Sequence, residues 1–321
     1  MRSVGLAFHE EALKHDTGPG HPECARRIPA ILDALRASSL ALTDLDVSHA
    51  DRADLLRAHT AEHVDRIESV CKEGGWYPDP DTHMMPASWP AALSSAGAAI
   101  AACRAVLAGE VDRAFCPMRP PGHHAEHDQA MGFCLFNNVA VAARWLQAEA
   151  GVGKVAIVDW DVHHGNGTED ITLEDDSIFY ASLHQHPLYP GTGSPDVRGR
   201  NNTNLNLRFG PGCDPDTWPE RLEAEVFPAL EKFDPDFLLL SAGFDAHRLD
   251  PLGSQRLENA HFEALTTPLL PVASGRIVSL LEGGYNLQAL GSAVTAHVSV
   301  LAEVCSMAEK PASEVRQEEQ R

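Results

Sequence analysis

Asp159, Asp161 and His163 stand at alternate positions in a sequence of 321 residues. On an extended backbone, spacing of i, i+2, i+4 turns all three side chains to one side. Two carboxylates and an imidazole that close repel or desolvate one another unless a cation neutralises them. A divalent metal meets that need. Mixed carboxylate and imidazole ligands suit zinc or iron(II), with manganese or cobalt as further choices. A single Asp-x-Asp is more often a solvated strand-end turn, but Asp245, a carboxylate after another apolar run, favours the metal. Asp161, His163 and Asp245 then make three protein ligands with one open position, and Asp159 stands behind them. A metal so held lowers the pKa of water toward neutrality.

Something must then take and deliver a proton. His123 and His124 follow the rigid Pro120-Pro121-Gly122 turn and are the candidates. Consecutive loop histidines are as often simply exposed, and it is the nearby ligand set that favours chemistry here. Tyr285, after Gly283-Gly284, can offer its hydroxyl to a developing oxyanion. Other histidines carry less. His59 and His63 stand at i, i+4 of an expected helix, but Glu62 is misplaced for a helical zinc motif, which leaves a helix surface or core feature. His127, His184, His186 and His247 are read as scaffold or rim residues.

The elements that must position these groups alternate along the chain. Val155–Val158, Phe237–Leu240 and Ile277–Leu281 look like buried strands, and Ala114-Phe-Cys is a shorter one. Helices are expected over Pro29–Leu35, Ala91–Leu107, Val139–Ala148 and Pro219–Leu230. Continuous apolar strands alternating with helices imply a mostly parallel sheet covered on both faces. Ligands of such sheets bind outside the carboxyl ends of the strands. Four strand ends deliver titratable groups to that edge: Arg119–His124, Asp159–Asn166, Ser241–Asp245 and Glu282–Asn286.

Composition narrows the classes. With 25 basic and 46 acidic residues the formal charge is −21. Such a chain lacks the surface that neutralises a nucleic-acid backbone, and contact with anionic membranes is disfavoured. A cationic substrate would be attracted, although solubility is the plainer reading. Seven cysteines without zinc-type spacing fit buried thiols in a reducing compartment. His9, Glu10 and Glu11 interrupt any signal-peptide core, and the uncharged run Met84–Cys103 reads as too weakly apolar to span a membrane. The expectation is a cytoplasmic protein with one domain over 1–308 and a polar tail over 309–321. A homo-oligomer is compatible with the sequence.

The segments RPPGHHAEHDQAMGFCLFNNVAVAAR, VAIVDWDVHHGNGTEDI, SLHQHPLYPGTG, LLLSAGFDAHRLDPLG and LEGGYNL closely resemble the histone deacetylase superfamily, which includes acetylpolyamine amidohydrolases and acetoin-utilisation proteins. They run in family order from about residue 18 to 300. Asn166 and Glu282 resemble the class II branch. The resemblance implies the three-layer arginase/deacetylase α/β fold, with zinc on Asp161, His163 and Asp245. It makes His124 the general base and acid and His123 its electrostatic partner. Asp159 would orient His123, Asn166 would contact His124, and Tyr285 would bind the carbonyl oxygen. It also implies a structural potassium ion on Asp159, Asp161, His163, Ser182 and Leu183. Phe133 and Tyr189 would wall an acyl-lysine channel, with Gly132, Leu252 and Gly283 along it. The expected substrate is an acylated amine, either acyl-lysine in a peptide or protein or an acetylpolyamine.

Some residues depart from the family pattern. Cys24 and Ala25 replace the usual residues of the N-terminal motif, while Arg27 keeps its arginine. Tyr189 replaces a more common phenylalanine, and Leu249 an expected glycine. Leu252 stands where the dedicated polyamine branch carries glutamate. Two rival readings are an arginase-like binuclear hydrolase, which needs more bridging carboxylates, and a silent acyl-lysine binder, which predicts loss of a ligand, of His124 or of Tyr285.

Overall fold

The computed structural model describes residues 2–76 and 79–303. Its strands are β1 (Val4–Leu6), β2 (Leu42–Asp44), β3 (Gly75–Trp76), β4 (His83–Met84), β5 (Arg113–Cys116), β6 (Val155–Asp159), β7 (Ile178–Gln185), β8 (Asn204–Phe209), β9 (Phe237–Ala242) and β10 (Ile277–Leu281). β3 and β4 form a small antiparallel hairpin. The other eight make one sheet in the order β2-β1-β5-β10-β9-β6-β7-β8, and every pairing in it is parallel. β5, β6, β7, β9 and β10 are buried at every residue, as expected of strands covered on both faces.

That order places β5, β10, β9 and β6 side by side. These are the four strands whose ends carry the candidate chemistry. Their ends are also level: Cys116 pairs with Leu280, Leu281 with Ala242, and Ser241 with Asp159. One further step along the sheet, Asp159 pairs with Ser182 of β7.

The expected helices are present with longer bounds, Arg27–Ala37, Ser88–Ala108 and Asn138–Ala150. The last begins where the Asn137 side chain accepts from Ala140 N and ends at left-handed Gly151. The helix expected over Pro219–Leu230 is instead two α segments, Thr217–Arg221 and Phe227–Phe233, joined by a π turn over Leu222–Val226. Pro228 gives the reason. It has no N–H to donate, and its ring clashes with the carbonyl of residue 224 in a regular helix, so the turn widens.

Helix Ser88–Ala108 corrects the reading of its segment as too weakly apolar to span a membrane. By length and composition it could cross a membrane, at a mean hydropathy of 1.6, but 78% of that window is buried inside the fold. At Gly97 a Cβ would fall 1.9 Å from Ser48 O, so backbone packs directly on backbone there. All six described cysteines are unpaired, four of them buried, and Cys305 and the expected tail over 309–321 lie outside the described residues.

Candidate active site

β6 stops at Asp159, so Asp161 and His163 lie in a bend rather than on the extended backbone their spacing suggested. The bend separates the two aspartates by role. Asp159 turns toward His123, while Asp161, His163 and Asp245 converge with their ligand atoms within 4.8 Å of one another. His163 Nδ1 lies 3.0 Å from Asp161 Oδ1 and 3.1 Å from Asp245 Oδ2. Val162 N donates to Asp245 Oδ1 at 2.8 Å, and Gly283 N donates to Asp161 Oδ2 at 2.7 Å. Gly283 has to be glycine, since a Cβ would sit 2.1 Å from Asp245 Oδ2. It lies against the carboxylates themselves.

This donor set fits a divalent cation. Asp245 Oδ2 is buried and faces His163 Nδ1 at 3.1 Å without a hydrogen bond of good geometry, which is costly without an ion. Burial and the neighbouring Asp161 push the Asp245 carboxyl up to about 7. His163 is the counterpart: burial opposes its charge, but Asp161 and Asp245 together hold it at about 10. One aspartate, one histidine and a second aspartate leave a position open, as catalytic zinc sites do.

The histidine pair is differentiated. His123 Nδ1 lies 3.0 Å from Asp159 Oδ2, and Tyr180 Oη donates to the same oxygen at 3.0 Å. Burial works against a charged His123, yet Asp159 and Asp161 outweigh it and hold its pKa at about 10. His124 goes the other way. Burial, then His123 and His163, push it well below the usual range. Its Nδ1 is 2.8 Å from Asn166 Oδ1. Asn166 Nδ2 donates to Glu126 Oε1 at 2.7 Å, which fixes the amide with its oxygen toward the ring. His124 Nδ1 must therefore carry the proton, leaving Nε2 as a free base.

Around this centre, Gly132 has φ of +55°, and a Cβ there would lie 2.4 Å from His124 Cδ2. Phe133 packs edge-on against Tyr285 at 5.9 Å, and Tyr189 against His124 at 5.2 Å. Tyr189 is 42% exposed, and burial still pushes its phenol above the usual range. Leu252 is half-buried, and its N–H donates to Asp250 Oδ1. Asp250 Oδ2 accepts from Tyr285 N at 2.6 Å and fixes that loop. The Arg27 guanidinium lies 5.0 Å from the Tyr285 ring and donates to the backbone oxygens of Gly284 and Glu282. Arg27 and Arg119 both bond Glu23, holding it at about 2 against the effect of burial. Cys24 leaves that buried cluster intact. Leu183 is buried beside Ser182, whose Oγ meets His184 Nδ1 at 2.9 Å.

His59 lies outside the helix expected to hold it. Thr60 is the cap and the helix is Ala61–Glu73. His59 Nε2 accepts from Asn137 N, and His63 meets Leu135 O, so both are core fasteners. Sequence reasoning missed Tyr180 and the contacts made by Glu282 and Asp250. Tyr180 is one aromatic in an apolar strand, and only strand pairing shows that its hydroxyl reaches Asp159. Glu282 and Asp250 stood inside recognised motifs, but their partners are distant backbone amides.

A parallel α/β sheet that collects three residues able to hold a metal and a differentiated histidine pair on its carboxyl edge has the arginase/deacetylase fold. The histone deacetylase domain model matches residues 21–301, and the chain belongs to that family. It is 39% identical over 314 residues to a histone deacetylase-like amidohydrolase of Pseudomonas aeruginosa, covering 89% of this chain and 82% of the relative. A probable deacetylase of Archaeoglobus fulgidus is 37% identical over 296 residues, with 89% and 82% covered. The crystal structure of the HDA15 HD domain superposes with a TM-score of 0.88 at 38% identity, covering 93% of this chain and 90% of that one.

Proposed function

We propose that the protein is a metal-dependent amidohydrolase that removes an acetyl or other acyl group from an amine. The observation that carries this reading is the free-base Nε2 of His124, oriented by Asn166, beside the Asp161-His163-Asp245 triad. A zinc ion there, or iron(II), would supply a Lewis acid for the amide carbonyl and for water. His124 Nε2 takes the proton of the attacking water and returns it to the departing amine. His123, kept charged by Asp159, holds positive potential beside the oxyanion that develops, and Tyr285 donates its hydroxyl to it. Phe133 and Tyr189 give the aliphatic stem an aromatic wall. A potassium ion on Asp159, Ser182 and the backbones of Asp161, His163 and Leu183 would brace the β6 and β7 ends.

The substrate class rests on the family. Acyl-lysine peptides and acetylpolyamines both present an amide at the end of a flexible stem. Leu252 disfavours a glutamate-gated polyamine mode. The arginase-like reading lacks its carboxylates, since among the described residues one group alone can hold a metal. Side-by-side turnover of acetyl-lysine peptides, acetylputrescine, acetylcadaverine and longer acyl-lysines, with metal analysis of the same sample, tests the reading. No turnover of any acylated amine by metal-replete protein overturns it.

A further inference from the structure

Glu282 immediately follows β10 with its side chain buried, and the reaction described above gives it no task. Its two carboxylate oxygens face different strands. Oε2 accepts from Gly122 N at 2.7 Å and His123 N at 3.2 Å, on the loop that follows β5. Oε1 accepts from Ser241 Oγ at 3.0 Å, on β9. Because β10 lies between β5 and β9, one side chain ties the histidine loop to two strands. The opposite side of that loop is already closed. A Cβ at Gly122 would fall 2.5 Å from Asn138 N, and His123 O accepts from Gly167 N and Thr168 N. The amide side is held by Glu282.

We propose that Glu282 is a positioning residue for proton transfer, latching the Gly122 and His123 amides and so fixing where His124 presents Nε2. The proposal rests on the deacylase reading for its catalytic consequence, but the latch itself is geometric. Reach matters more than charge. Oε2 serves two N–H groups at hydrogen-bond distance, and a carboxyl one methylene shorter cannot stay with both and with Ser241. A glutamine can: its carbonyl oxygen accepts from the two amides while its NH2 faces Ser241 Oγ, which then accepts. A role based on negative charge predicts the reverse order of the two variants.

The experiment compares Glu282→Asp with Glu282→Gln in metal-replete protein. It measures kcat and KM on whichever acylated amine the wild type turns over best, and amide hydrogen exchange over the Arg119–Ala125 segment. Misplacement of a reacting group by about 1 Å can cost about 10²-fold. Glu282→Asp is expected to lose roughly ten- to a hundredfold in kcat with KM little changed, while Glu282→Gln keeps most of wild-type kcat. Exchange at Gly122 and His123 should rise in Glu282→Asp and stay protected in Glu282→Gln. Equal kcat in the two variants, or a larger loss in Glu282→Gln, overturns the proposal. If the wild type turns over no acylated amine, the functional reading fails separately, and the exchange data alone decide for or against the latch.

Discussion

His123 and His124 are neighbours in the chain with ring centroids 4.0 Å apart, and their surroundings drive them to opposite protonation states. Asp159 and Asp161 keep His123 cationic against burial, while burial and the charged His123 beside it keep His124 neutral. Two titratable groups with basicities pushed apart are how one site holds a charge and a base together at neutral pH.

The pH profile follows from that pair. A group with a lowered pKa is free base at every pH above it, so His124 stays competent well below pH 6.5. The kcat/KM profile should show no acidic limb near pH 6.5. Replacing Asn166 by aspartate puts a carboxylate at 2.8 Å from His124 Nδ1, which favours the protonated ring. The acidic limb of Asn166→Asp should move to higher pH by about 1–3 pH units. An unmoved limb would remove His124 as the titrating base.

Tyr285→Phe keeps the ring that packs on Phe133 and Arg27 and removes only the hydroxyl. Loss of one oxyanion donor typically costs about 10²–10³ in kcat. Thermal unfolding should change little. Wild-type turnover of a fluorogenic acyl-lysine peptide by this variant would refute the assignment.

Gly132→Ala tests the tight approach to His124. The new methyl would fall 2.4 Å from His124 Cδ2 at a φ of +55°, so either the ring or the Phe133 loop must shift. A loss of the order of 10²-fold in kcat is expected from displacement of about 1 Å. Circular dichroism should show the fold retained. A fully active variant would mean that the ring tolerates displacement.

Chelation should lower the melting temperature, because Asp161, His163 and Asp245 are buried together and Asp245 Oδ2 makes no well-aligned hydrogen bond. A ligand present at 100 times its Kd stabilises by about 2.7 kcal/mol. Differential scanning fluorimetry with a chelator, then with zinc or iron(II) restored, measures the change. A melting temperature indifferent to both would exclude a resident metal at this triad.

Much of this molecule is legible in its sequence. Apolar runs ending in Asp159, Ser241 and Leu281 announce buried strands because burial on both faces demands unbroken hydrophobicity. The candidate ligand set is legible because Asp161, His163 and Asp245 are chemically implausible together without a cation. Helix bounds grew by a few residues, since caps such as Asn137 and Gly151 extend the periodic region. The π turn at Leu222–Val226 was hidden because proline's effect depends on how the surrounding helix is anchored. His59 looked helical by spacing, whereas the cap at Thr60 shuts it out.

The sequence by itself determined which residues stand at strand ends, and so the family and the chemical inventory of the site. Only the tertiary structure decided who touches whom. Strand order β5-β10-β9-β6 differs from chain order, and periodicity reports which face a residue takes but not which strand lies beside it. The bond from Gly122 N to Glu282 joins positions 160 apart. Asn166 reaches His124 across 42 positions, and Tyr180 finds Asp159 only because β6 and β7 pair in register. Burial supplied the rest. Opposite protonation states for adjacent histidines arise from the charges and desolvation around each ring, and these exist only once the sheet has assembled.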